Sequence, residues 1–362
     1  MKIGLFMMPL HPPGRIHAET YDEDLEVISL ADRLGFSEAW VGEHFLLPWE
    51  NMPSPELFIA RALGETEQIT FGTGVVLLPL HDPVHVAHRI AMLDHLAKGR
   101  LYFGIGSGGS ASDLEMFGID TKIGTALERM RESIDVIIDL WERGPFEHHG
   151  KFFDVGRPEE TPELPIGFHM RPYQNPHPPI AVAGTSARSQ TLEIAGERGW
   201  LPLSSSLVHS SQLMVNWGSV EAGARTAGRE PSRAQWRIAR EVFVAESSEE
   251  AKDAALNGAL ARDLTEYWLK LIGNGPRGLG TFKHHPDLPD EAITPQHMLE
   301  NYWIVGDPDE CIQQLRQLYE AAGGFGTLLV QTNDWGRDTK KWHRSMELLA
   351  KEVVPALQDL TP

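Results

Sequence analysis

Eight short runs rich in β-branched, aliphatic and aromatic residues recur along the chain, each followed by a segment of helical periodicity. That alternation restricts the chain to folds built from parallel βα units. The runs fall at 3–8, 39–42, 69–78, 101–105, 180–183, 200–203, 236–245 and 327–331. Local signals agree with the helices between them. Thr20 and Glu23 have capping-box spacing, Gly35 and the pair Gly323 and Gly324 stop helices, and Asp307 followed by Pro308 and Glu310 starts one. Apolar residues at 123, 127, 130, 134, 137, 138 and 141 predict a long helix with one buried face. Eight strands with a helix after each predict the α/β class and a (β/α)8 TIM barrel, a single domain over 1–362. Insertions after strands four and seven account for length beyond the roughly 250 residues of a plain barrel.

Composition narrows the function classes. A net charge of -19 opposes binding to a phosphate backbone or an anionic membrane surface, both of which need clustered cations. Cys311 is the only cysteine, which excludes an intrachain disulfide and any multi-cysteine zinc site. The N-terminal stretch MKIGLFMMPLHPPG reads as a first strand rather than a signal peptide, and no apolar run is long enough to span a bilayer. A cytoplasmic protein with neither nucleic-acid nor membrane partners is expected.

In such a barrel the chemistry gathers at the C-terminal ends of the strands. The end of strand two carries an adjacent acid and base, Glu43 and His44, opening the proline-rich stretch VGEHFLLPWENMPSPE. Histidine suits proton transfer near neutral pH and a carboxylate can orient it, although a hydrogen-bonded structural pair is the plainer alternative. The motif GIGSGG at 104–109 matches a dinucleotide fingerprint but follows the fourth strand. It reads better as a strand end where a flat ligand approaches bare backbone, with tight turning as the alternative. At 183–191, small and hydroxyl residues end a strand and start a helix. Backbone N–H groups there, with Ser189, Thr191 and Arg188, suit a phosphate, and ordinary capping competes with that reading. His81, His85 and His88 lack an acidic residue completing a zinc pattern, and no metal is expected. The Gly- and Pro-rich segment at 273–290 reads as a cover over the site.

The order of these features resembles the bacterial luciferase-like family of flavin-dependent monooxygenases. The resemblance rests on KIGLFMMPLHPPG, LGFSEAWVGEHF, ITFGTGVVLLPLHDP, LDHLAKGRLYFGIGSGG and PPIAVAGTS. WENMPSPELFIA at 49–60 is most similar to the diketocamphane branch, with limonene-type enzymes close by. The resemblance implies reduced FMN delivered by a separate flavin reductase, O2 as co-substrate, a peroxyflavin, and oxygen transfer to a small hydrophobic, cyclic or terpenoid ketone. It implies His44, with Glu43, in proton handling, and Gly74 and Val75 joined by a cis peptide under the flavin. Gly106 and Ser107 would contact the cofactor, and Arg188, Ser189 and Thr191 its phosphate. The luciferase Cys-Arg pair is absent at 106–107. Met8, His11 and Trp49, with Phe6, would wall the substrate, and a homodimer is implied. Alternatives are a hydride-transferring deazaflavin oxidoreductase, a metal-dependent barrel hydrolase and a non-catalytic flavin-binding barrel.

Overall fold

The computed structural model describes residues 1–8, 10–122, 124–144, 146–157, 163, 166–275, 278–285 and 287–362. Eight parallel strands form a closed ring: β1 (Lys2–Met7), β2 (Glu38–Val41), β3 (Thr70–Thr73), β4 (Leu101–Gly106), β5 (Ile180–Gly184), β6 (Leu201–Ser204), β7 (Arg237–Arg240) and β8 (Thr327–Gln331). Phe71 opposite Leu101 joins β3 to β4, and Lys2 opposite Thr327 joins β1 to β8. A helix follows each strand on the outside, from α1 (His17–Leu34), α2 (Pro55–Ala62), α3 (Pro83–Ala97) and α4 (Thr125–Glu142) to α5 (Gln190–Arg198), α6 (Leu213–Thr226), α7 (Pro308–Ala322) and α8 (Thr339–Leu348). The chain is therefore the (β/α)8 barrel that the alternation predicts.

Side chains, not space, fill the ring. Trp40 of β2 is fully buried at its centre, and the strands facing it are glycine where they must be. A Cβ on Gly72 would stand 2.4 Å from the Trp40 ring, and one on Gly104 would meet the Thr73 carbonyl at 1.9 Å. Phe6, Ala181, Leu203, Ala239 and Leu329 complete this inner cluster. Below it, at the N-terminal end of the strands, Glu38 receives Arg237 with both oxygens, at 2.9 and 3.1 Å. Glu38 also accepts the Trp40 indole N–H at 2.8 Å, and Tyr102 stacks on Trp40. Such a bidentate, fully enclosed pair closes the barrel floor.

Several expectations shift in detail. Helix α1 starts at His17, not at the Thr20 box, because the Ile16 carbonyl already accepts from Glu19 and Thr20. Thr20 instead donates to the His17 carbonyl, and Glu23 is drawn to Arg15. The third run breaks after Thr73 and resumes as a short strand, Val76–Leu77. The seventh leaves the barrel after Arg240, and Val242–Val244 pairs outside it with Ile304–Gly306, a strand the periodicity did not reveal. The helical segment that follows, from Ser248 to Gly273, is divided at Gly258 and contains a π-helical turn, Leu264–Trp268. Ile123, at the start of the predicted long helix, and Pro276, Arg277 and Pro286 of the predicted cover lie outside the described residues.

Removing one partner of the barrel-floor pair leaves a buried charge. Glu38→Ala should therefore lower stability by about 3–5 kcal/mol, read as a fall in the urea unfolding midpoint. Replacing Glu38 and Arg237 together by Leu and Met should cost much less.

Candidate active site

Leaving β2, the chain passes Gly42, where a Cβ would press on the Met8 sulfur at 2.9 Å, and enters the proline-rich loop. Glu43 and His44 are adjacent in sequence but do different things. Glu43 turns inward: one carboxylate oxygen accepts the Leu77 N–H at 2.6 Å and the other pairs with His81 Nε2 at 2.9 Å. It thereby holds the chain that continues β3. The His44 backbone N–H donates to the Met52 carbonyl at 2.9 Å, closing the loop on itself. Its Nδ1 lies 2.7 Å from Glu50 Oε2, in ion-pair contact but off the line of a hydrogen bond.

Glu50 is 2% exposed, and so is Asp113, which lies in the short helix Ala111–Met116 and accepts the Leu46 N–H. Burial alone would pull the His44 imidazole below its ordinary range. Glu50 foremost, then Asp113 and Glu43, outweigh that and hold it above. Burial keeps the Asp113 carboxyl above the usual carboxylate range. Tyr267 arrives from the π-helical turn, its hydroxyl enclosed and its phenol pushed up by burial and by Glu50.

Beside this group the barrel mouth offers a flat, apolar floor. The peptide between Gly74 and Val75 is cis. Val75, Met8 and Ala183 are half-buried, and Met8 and Ala183 lie on the inner cluster. A side chain at Gly106 would collide with Val75, its Cβ 2.5 Å from Val75 Cγ2. Ser107 follows at the rim, half-buried. Across the mouth, Ser189 caps α5, accepting from the Leu192 N–H, and contacts the Thr191 hydroxyl at 2.8 Å. Thr191 in turn donates to the Ala183 carbonyl, while Arg188 stands exposed at the same helix start.

The family model of luciferase-like monooxygenases matches residues 1–324. The chain belongs to that family. As a luciferase-like monooxygenase it is 36% identical to the 4-hydroxyprotoasukamycin monooxygenase of Streptomyces nodosus subsp. asukaensis, over 98% of this chain and 92% of that one. It is 33% identical to the limonene 1,2-monooxygenase of Rhodococcus erythropolis, over 99% and 87% of the two chains. Among solved structures it superimposes on a type II Baeyer-Villiger monooxygenase, the oxygenating constituent of 3,6-diketocamphane monooxygenase of Pseudomonas putida in complex with FMN. There the TM-score is 0.90 at 31% identity, with 98% of each chain covered. Among the described residues no helix is long and apolar enough to cross a membrane, and no three His, Cys, Asp or Glu side chains are grouped to hold a metal ion.

In this luciferase-like monooxygenase the residues expected as a substrate wall divide. Trp49 is buried with Leu10 and Tyr267, stacked on the latter at 5.5 Å, and Met8 borders them. His11 instead has both ring nitrogens engaged, with Asp334 at 2.8 Å and Asp24 at 3.2 Å. Burial opposes its charge, but the two carboxylates raise it to about 9. Asp24 and Asp334 share the ring between them: burial keeps the Asp24 carboxyl above the usual range, while Asp334, nearer to His11 and bonded to Arg15, is held below it. Glu50, Asp113 and Tyr267 were not singled out by sequence reasoning; the signal for Glu50 was its place in the same proline-rich loop as His44.

The His11 network should make stability fall with rising pH. Its contribution is fully present below the ordinary value of 6.5 and is lost as pH rises through about 9. Thermal unfolding of the protein should drop over that interval, and His11→Asn should be less stable at the acidic end and show a flatter profile.

Proposed function

We propose that this chain is the oxygenase component of a two-component system. It would take reduced FMN from a separate flavin reductase and use O2 to oxygenate a small hydrophobic substrate, a cyclic, terpenoid-sized ketone, in a Baeyer-Villiger reaction. The observation that carries the reading is the His44 imidazole, 2.7 Å from the buried Glu50 carboxylate, beside an apolar wall of Met8, Leu10 and Trp49 and a floor of Val75 and Ala183 at one barrel mouth. The relatives named above support the oxygenating role and a ring-sized apolar substrate.

These residues fit the cofactor. Gly106, where a Cβ would strike Val75, keeps the floor flat enough for an isoalloxazine ring, with Gly74 and Ser107 beside it. The start of α5, with Arg188 exposed and Ser189 and Thr191 ordering the turn, suits the phosphate through the helix N-terminus. Bound reduced flavin would supply the two electrons that activate O2, one oxygen atom of which goes to the substrate and the other to water. The chain does the rest. Trp49 and its neighbours exclude water and orient the substrate. His44 presents a positive edge that stabilises the negative charge developing as oxygen reaches a carbonyl. Glu43, bonded to Leu77 and His81, positions the floor rather than moving a proton. Exposed Leu57, Met92 and Leu96 on α2 and α3 support a homodimer through this side of the barrel, which sedimentation of the purified protein checks.

The test is to mix protein with chemically reduced FMN without oxygen, then admit O2 with a panel of ring ketones and alkenes. A lactone from a ring ketone is expected, and His44→Ala should slow its formation by about 10²–10⁴-fold with little change in flavin binding. Oxidation of reduced deazaflavin with no oxygenated product would overturn the reading, and epoxide alone would overturn the ketone.

A further inference from the structure

The side chains around His44 carry more polar atoms than the protein itself satisfies. His44 Nδ1, both Glu50 carboxylate oxygens, Asp113 Oδ2 and the Tyr267 hydroxyl are all enclosed without a well-aligned hydrogen bond. Enclosed polar atoms without an aligned hydrogen bond are few in a folded interior, and five of them gather here. They come from three separate elements: the 43–56 loop, the Ala111–Met116 helix and the π-helical turn Leu264–Trp268. Inserted π-turns recur where a helix must aim a functional side chain.

The geometry sorts the two nitrogens of His44. Nδ1 is sealed against Glu50, whose side chain is 1% exposed, while the His44 side chain as a whole is 21% exposed. The open part of the ring is therefore the opposite edge, where Nε2 stands. Glu50 is itself fixed: its N–H donates to the Leu47 carbonyl, and it bridges to Leu10 at the end of β1. Tyr267 stacks on Trp49, and the Arg262 guanidinium lies 6.0 Å from the centre of that indole and donates to the Asp334 carbonyl.

We propose that Glu50, backed by the Tyr267 hydroxyl, is the positioning residue for His44: it holds Nδ1 at ion-pair distance and fixes the ring, so that Nε2 is the atom presented to the bound ligand. The proposal rests on the oxygenase reading for what Nε2 meets, but not for the grip itself. The Tyr267 phenol, pushed up by burial and by Glu50, stands next to that carboxylate. The charged and titratable groups facing His44 are Glu50 and Glu43 from its own segment, Asp113 from the short helix and Tyr267 from the π-turn. Of these, Glu43 already serves Leu77 and His81, and Asp113 serves Leu46. Glu50 alone touches the ring at ion-pair distance.

The test reads His44 directly, without flavin. In the full-length protein labelled with ¹⁵N-histidine, the His44 ring signals are assigned by their loss in His44→Asn and followed against pH. In the unsubstituted protein His44 should titrate above the ordinary histidine value. Glu50→Gln, nearly isosteric, should lower that midpoint by about one pH unit or more and let the ring exchange tautomers. Tyr267→Phe should move it in the same direction by less, because Glu50 loses a neighbouring hydroxyl but keeps its contact with Nδ1. A folded Glu50→Gln protein with an unmoved His44 midpoint overturns the proposal, as does a shift produced by Asp113→Asn but not by Glu50→Gln. Because the titration uses the flavin-free protein, a positive result stands even if no oxygenation is found, and the product assay with reduced FMN separately tests the oxygenase reading. Should Glu50→Gln fail to fold, Tyr267→Phe decides the matter, an unmoved midpoint there again refuting it.

Discussion

An indole inside the barrel sets the terms for everything around it. Trp40 projects from β2 into the centre of the ring, and β3 and β4 approach it with Gly72 and Gly104, where a side chain has no room. Its N–H is taken by Glu38, which in turn neutralises Arg237, so the ring's lower end is sealed by charge and its middle by carbon. With the interior filled, nothing binds through the barrel. On the proposed reading the ligand lies across the top, on Met8, Val75 and Ala183, where the loops after the strands decide what it meets.

The loop after β2 makes the most of that position. Its first acid reaches sideways to Leu77 and fixes the chain just past the cis peptide, while its histidine faces the other way toward Glu50. Successive residues leaving a strand point to opposite sides, which is why neighbours in sequence serve different walls. The same loop then supplies Trp49, which stacks on Tyr267 and has the Arg262 guanidinium 6.0 Å from its ring centre. A remote segment, 259–273, is thereby tied to this loop through Trp49.

What was legible in the sequence follows from the range of the forces involved. The eight strands and the cap at Asp307 depend on neighbours within a few residues, and periodicity or side-chain chemistry shows them directly; Asp307 indeed accepts from the Glu310 N–H. The Thr20 box failed because a competing local bond, Thr20 N–H to the Ile16 carbonyl, starts the helix a turn earlier. Glu50 was within sight of His44 but only the loop's closure at Met52 brings them together. Tyr267 was out of reach altogether, since its place depends on how a distant helix packs on Trp49. His11 was read as a substrate wall because of where β1 ends. Its burial between Asp24 and Asp334 is a consequence of α1 and the β8 loop converging on that end.

The proposed flavin site, across the top of the filled barrel with His44 at its edge, is open to a crystal structure of the protein soaked with FMN. The isoalloxazine ring should rest on Val75, the phosphate should sit at the start of α5 near Arg188, and His44 Nε2 should turn toward the ring while Nδ1 stays on Glu50. A flavin bound away from the strand ends, or a His44 whose Nε2 edge is closed off from it, would refute that placement.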